Sequence, residues 1–122
     1  MTDFEKINIR GVNFLNVTLD EAAAVGAKML SGDRVCTVFT PNSEIVQLCI
    51  EQNEYYDLYN SGDMVVPDGA GVVKAAKILG KPLKGKVAGV ELGEKMLEYC
   101  AKSGDSAFFL GAKPGVAEEA AK

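Results

Sequence analysis

No histidine occurs in this 122-residue sequence, which removes Ser-His-Asp and Cys-His catalysis and imidazole metal sites from the chemistry open to it. A general base has to be a carboxylate, lysine, tyrosine or cysteine. The Asp-x-Asp spacing that often holds a divalent metal against a diphosphate is also missing, so neither a metal nor another cofactor is expected. No run of lysine or arginine is present and the formal charge is −4. That argues against a nucleic-acid partner, whose phosphates must be neutralised to be bound. No apolar run is long enough to span a bilayer, and Met1-Thr2-Asp3-Phe4-Glu5 lacks the basic and apolar regions of a secretory leader. A cytoplasmic location is the expectation. Cysteine is scarce: Cys36, Cys49 and Cys100 are widely spaced among apolar neighbours, without metal or redox spacing. They read as small buried hydrophobes in a reducing compartment.

What is present is ordinary for one soluble domain with a real core, 48% hydrophobic and 25% charged. The most informative stretch is Met64-Val65-Val66-Pro67-Asp68-Gly69-Ala70-Gly71-Val72-Val73. A β-branched run stops at proline, passes through Asp-Gly-Ala-Gly and resumes at helical spacing, which reads as strand, tight turn and helix. Asp68 then sits at the carboxyl end of a strand, the edge at which open parallel sheets bind ligands, and Gly69 and Gly71 let backbone N–H groups approach one. Capping of the following helix is the competing role for Asp68.

Two further corners repeat the pattern. Arg34 to Thr40 reads as a strand buried on both faces. It runs into Thr40-Pro41-Asn42-Ser43-Glu44, with proline at the first helical position. Thr40 and Asn42 open onto the edge that holds Asp68 if the two strands are parallel; Thr40 is alternatively a helix cap. Ser106 to Leu110 reads as the last strand, followed by Gly111-Ala112-Lys113-Pro114-Gly115 and a helix from Val116. Two glycines flanking Lys113 in such a turn suit a diphosphate held by backbone amides. Neither glycine turn completes the dinucleotide fingerprint, since Lys74 stands at the third glycine position after Gly69 and Gly71.

The remaining elements frame these corners. Ile7 to Val17 alternates around Arg10-Gly11 as a small hairpin with one wet face. Thr18-Leu19-Asp20-Glu21 is a capping box opening a helix to about Leu30. Tyr55, Tyr56 and Tyr59 read as rings covering the core edge. Lys81, Lys84 and Lys86 form either a phosphate contact or a solvated face. Val90 to Cys100 is apolar at helical spacing, up to Lys102-Ser103-Gly104. The expected fold is therefore α/β: a Rossmann-like parallel sheet with helices on both faces and an N-terminal hairpin. The final helix stops at Glu119-Ala120-Ala121-Lys122 with no cap. Residues 1–122 are accordingly expected to be a fragment, since a domain seldom ends where its last helix has barely nucleated.

Taken together the corners resemble the WecG/TagA/CpsF family of bacterial glycosyltransferases. The resemblance lies in Ile9-Arg10-Gly11-Val12, Val17 to Ala22, Thr40 to Glu44, Pro67 to Val73, Val87 to Leu92 and Phe109 to Ala117. It implies inverting transfer of N-acetylmannosamine from UDP-ManNAc to the 4-hydroxyl of GlcNAc on undecaprenyl diphosphate, in wall teichoic acid linkage-unit synthesis. It also implies Asp68 as the general base, Thr40 and Asn42 as sugar-positioning residues, and Gly111, Lys113 and Gly115 as part of a metal-free UDP site. Lys86 stands where many relatives carry arginine, which replaces a bidentate phosphate fork with a point charge. Family members are longer; the remainder resembles a segment with further donor contacts and a basic appendage reaching the inner face of the membrane. Little or no turnover is expected without it. A homo-oligomer is left open, as is the identity of the donor sugar.

Two other classes compete. A receiver-like domain phosphorylated on Asp68 would use Lys113-Pro114 near its last strand, but Ile7-Asn8-Ile9-Arg10 lacks the acidic pair that binds magnesium. A nucleotide-dependent oxidoreductase domain would bind NAD and show no preference for uridine nucleotides.

Overall fold

The chain's ordered elements begin with two short strands, β1 (Lys6–Ile9) and β2 (Val12–Leu15), paired antiparallel with Ile7 opposite Phe14 and Ile9 opposite Val12. Arg10 and Gly11 both have positive φ, 52° and 97°, the backbone that a two-residue hairpin turn requires. Glycine is needed at position 11 on a second count, because a Cβ there would lie 2.5 Å from Tyr56 Cε1. The computed structural model describes residues 4–122, so positions 1–3 of the stretch weighed for a leader lie outside the described residues.

The capping box is formed as expected. The Glu21 N–H donates to Thr18 Oγ1 at 3.2 Å and the Thr18 N–H donates to Glu21 Oε1 at 2.9 Å, opening α1 (Leu19–Leu30). Then follow β3 (Val38–Phe39), α2 (Ser43–Glu51), α3 (Glu54–Asn60), β4 (Met64–Val65), α4 (Ala70–Ile78), α5 (Gly89–Ser103) and α6 (Val116–Ala120). Strands β3 and β4 are parallel, with Val38 opposite Met64 and Phe39 opposite Val65. The architecture is mixed α/β, with an antiparallel hairpin and a two-stranded parallel sheet.

Alternation along the strand that leads to Asp68 divides the core. Val65 joins Ile9, Phe14, Val46, Cys49, Val72 and Ala76 in one buried cluster. Met64 and Val66 join Leu15, Val17, Ala22, Val25, Val87 and Leu92 in the other. Successive side chains of a strand point to opposite faces, so α2 and α4 cover one side and α1 and α5 the other. Helix α5 approaches α1 closely because Gly26 has no Cβ; one built there would lie 2.7 Å from Met96 Sδ. Helix α3 clamps the hairpin: Tyr56 Oη donates to the Arg10 carbonyl at 2.6 Å and Asn60 Nδ2 to the Gly11 carbonyl at 2.9 Å. The three tyrosines pack against the core as expected.

Four expectations are corrected. The strand predicted from Arg34 is confined to Val38–Phe39, with Val35 89% exposed, because among the described residues one edge of β3 has no paired strand. Ser106 to Leu110 forms no strand, and Phe108 and Leu110 are 88% and 92% exposed. A β-branched or aromatic run becomes a strand only where a neighbour supplies ladder and cover. Among the cysteines only Cys49 is buried, and burial pushes its thiol up; Cys36 and Cys100 are half-buried. Pro41 precedes the helix cap rather than occupying the first helical position, since Asn42 is the cap of α2. No helix among the described residues is long and apolar enough to cross a membrane.

Candidate active site

The carboxyl ends of β3 and β4 carry two turns that are stitched together. The Val66 N–H donates to the Phe39 carbonyl at 3.0 Å and the Asp68 N–H to the Pro41 carbonyl at 3.2 Å. Parallel pairing thus continues past the strands and brings Thr40-Pro41-Asn42 beside Pro67-Asp68-Gly69. A third segment joins them where the Val87 N–H donates to the Pro67 carbonyl at 2.7 Å. The start of α5 is thereby held against the Asp68 turn.

Asp68 does not cap its own helix. The cap of α4 is Gly69, which has φ 93° and no side-chain hydrogen bond. That φ, rather than crowding, requires glycine, since nothing lies within 4 Å of a built Cβ. The Asp68 carboxylate instead turns toward the N-terminus of α5, where Oδ2 accepts from the Gly89 N–H at 3.3 Å. A Cβ at Gly89 would meet Thr40 Oγ1 at 2.9 Å and Asp68 Oδ2 at 3.3 Å. The hydroxyl and the carboxylate therefore face one point. Their close approach to the start of α5 requires that residue 89 lack a Cβ.

Asn42, not Thr40, caps α2, with Oδ1 accepting from the Ile45 N–H at 3.0 Å. This commits its acceptor to the helix and leaves Nδ2 as its outward donor. Gly71 serves close packing, because a Cβ there would lie 2.9 Å from Ser43 Oγ. Thr40 and Gly89 also line a cavity of about 470 Å³, whose walls include Val38, Met64, Leu92 and Met96. At its rim Arg34 Nη2 meets Asp63 Oδ1 at 2.9 Å, and Asp63 Oδ2 accepts from the Thr37 N–H at 2.9 Å. The Thr37 amide first, and Arg34 second, hold the Asp63 carboxyl below its ordinary range. Among the described residues no group of three or more Cys, Asp or Glu side chains is placed to hold a metal.

The sequence candidates divide into three sets. Thr40, Asn42, Asp68, Gly69 and Gly71 are gathered at one sheet edge. Lys86 is exposed and lines a separate shallow groove with Ala70, Val73, Lys74 and Lys77. Gly111, Lys113 and Gly115 are exposed and are not brought to Asp68. Their turn is closed locally, by the Val116 N–H donating to the Lys113 carbonyl at 3.1 Å. Sequence reasoning missed Gly89 as a member of the site. The available signal was a glycine opening a helix inside Val87-Ala88-Gly89-Val90.

Similar sequences occur among known proteins. The model of the family described as Glycosyl transferase WecG/TagA/CpsF family matches residues 7–122. Similar relatives include the N-acetylglucosaminyldiphosphoundecaprenol N-acetyl-beta-D-mannosaminyltransferases of Staphylococcus aureus strains NCTC 8325 / PS 47 and COL. Each is 32% identical over 117 residues, covering 94% of this chain and 46% of the relative. The chain thus spans about half the length of the curated relatives it matches.

Proposed function

We propose, for a chain that belongs to the glycosyl transferase WecG/TagA/CpsF family, that it supplies the catalytic base and acceptor side of an N-acetylmannosaminyltransferase. The donor is UDP-ManNAc and the acceptor is GlcNAc-diphospho-undecaprenol, in wall teichoic acid linkage-unit synthesis. Asp68 takes the proton from the acceptor 4-hydroxyl as that oxygen attacks the anomeric carbon of the donor. The anomeric carbon–phosphate oxygen bond breaks on the opposite face, UDP departs with the electron pair, and configuration inverts. The observation that carries the reading is the gathering of Asp68 Oδ2 and Thr40 Oγ1 beside the start of α5, both close to Gly89. A base must lie within hydrogen-bond reach of the proton it removes, and a neighbouring hydroxyl orients the sugar that brings it.

Thr40 and the Asn42 Nδ2 donor position sugar hydroxyls. In a protein of the relatives' full length the turn of Gly111, Lys113 and Gly115 forms part of the UDP site. There the turn amides offset charge on the departing diphosphate without a metal. The longer protein works at the inner face of the membrane, where a lipid-linked acceptor resides.

The test is Asp68→Asn in a protein of the relatives' full length. Transfer is expected to fall ~10²- to 10⁴-fold with the circular dichroism spectrum unchanged. Near-normal transfer by a folded variant would remove Asp68 as the base.

A further inference from the structure

One polar side chain is buried in an otherwise apolar interior. Among the described residues Asn16 is the only polar or charged residue in the buried set, 6% exposed, between the end of β2 and Thr18, the cap of α1. Burying a carboxamide is costly unless its donor and its acceptor are both used, and here both are. Asn16 Oδ1 accepts from the Lys84 N–H at 2.8 Å, and Nδ2 donates to Glu5 Oε1 at 3.0 Å. The Asn16 N–H donates to the Glu5 carbonyl at 2.9 Å, which holds the backbone beneath the side chain.

The bond to Lys84 joins residues 68 positions apart. It reaches residues 81–88, a part of the connection from α4 to α5 that has no helix or strand of its own. The Lys84 ammonium adds a contact with Glu21 Oε1 at 3.0 Å and lies 5.1 Å from the centre of the Phe4 ring. Both groups of that ion pair are partly exposed, so it holds the connection weakly. The buried carboxamide is the firmer anchor. Three residues on, the Val87 N–H donates to the Pro67 carbonyl at 2.7 Å, and two residues after that the Gly89 N–H donates to Asp68 Oδ2 at 3.3 Å. The connection is thus pinned at Lys84 and again at Val87 before it presents the amide from which the Asp68 carboxylate accepts.

We propose that Asn16 is a positioning residue for the transfer reaction. Through the Lys84 N–H it sets where the connection enters α5, and so the direction in which the Gly89 amide holds the Asp68 carboxylate. The role in transfer rests on the assignment of Asp68 as the base; the latch between Asn16 and Lys84 does not. The residue type matters because each contact needs its own half of the carboxamide. Alanine at position 16 leaves the Lys84 N–H without its partner, and aspartate keeps an acceptor for Lys84 but opposes the Glu5 carboxylate.

The experiment follows amide hydrogen exchange in the 122-residue chain, residue by residue. Asn16→Ala is expected to speed exchange at Lys84, Val87 and Gly89 about tenfold relative to Val46 and Cys49 in α2. Asn16→Asp is expected to do the same, and adding Glu5→Gln, which exchanges donor and acceptor at constant charge, should restore protection. If Asn16→Ala does not fold, Asn16→Asp against that double variant carries the comparison. Unchanged exchange at Val87 and Gly89 overturns the proposal. So does equal acceleration throughout α2, which would make Asn16 a residue of general stability. In a protein of the relatives' full length, Asn16→Ala should lower kcat about tenfold to a hundredfold with KM changed less than about twofold, and the double variant should recover kcat. A rise in KM alone, or no recovery in the double variant, also overturns it. Retained transfer in Asp68→Asn would defeat the base assignment and with it the role in transfer, while the exchange result would still report the latch.

Discussion

The corners at Thr40 and Asp68 and the corner at Gly111 have the same sequence grammar, yet only the first two are built into the molecule. Thr40-Pro41-Asn42 and Pro67-Asp68-Gly69 are joined by backbone hydrogen bonds and rest on buried Pro41, Val66 and Pro67. The third follows α5 through Gly104, whose φ of 82° ends that helix, and continues as exposed chain to the five-residue α6. A turn and a short helix can be written locally. A strand is a relation between two segments, and its β-branched and aromatic residues contribute little until a partner covers them.

Substitution at matched aromatic positions breaks this comparison most sharply. Phe14 is fully buried and Phe108 is 88% exposed. Phe14→Ala is expected to cost about 3–5 kcal/mol in urea denaturation of this chain, and Phe108→Ala less than about 0.5 kcal/mol. If Phe108→Ala proves as costly as Phe14→Ala, the third corner is packed in solution and the contrast fails.

Next in size is Gly89→Ala, which places a Cβ against the Thr40 hydroxyl. Rotation of the Thr40 side chain relieves the contact, so the melting temperature should move little. Transfer by the longer protein should fall about tenfold to a hundredfold through a displaced sugar contact. A variant that melts far lower instead would make Gly89 a packing residue only.

Thr18→Ala removes one half of the capping box and should cost about 1 kcal/mol, measurable in the same denaturation series. The smallest effect is on pH. The Asp63 and Glu21 carboxyls both lie below their ordinary values, 3.8 and 4.5, because amides donate to them, from Thr37 and Thr18 respectively. A carboxyl with a lowered folded pKa stabilises above its unfolded pKa, and that contribution is lost as pH falls through the folded one. Stability should therefore decline below about pH 4.5, with a shallower slope in Asp63→Asn. An unchanged slope would show that the Thr37 and Arg34 contacts persist in the unfolded chain.

How much of this was readable from the residues follows from the range of the interactions involved. Thr18 and Glu21 are three positions apart, and Arg10-Gly11 needs only its own backbone, so both were legible. The strand-to-helix corners at Thr40 and Asp68 were legible for the same reason. The partner of Asp68 was not: Gly89 is 21 positions away and is brought there by the backbone bond between Val87 and Pro67. Capping by Asn42 rather than Thr40 turned on where the helix begins past Pro41, an offset of two residues that composition leaves undetermined. Phe108-Phe109-Leu110 has strand composition, but a partner, not composition, decides whether it pairs.

The division of Met64, Val65 and Val66 between opposite hydrophobic layers has one more consequence. Asp68 has the same parity as Met64 and Val66, so insertion or deletion of a single residue between them would exchange the two layers and swing the carboxylate to the other side of the sheet. Evolution can lengthen the loops on either flank freely, but this segment can change length only in steps of two. The phase of a very short strand thus sets the aim of the acid at its end.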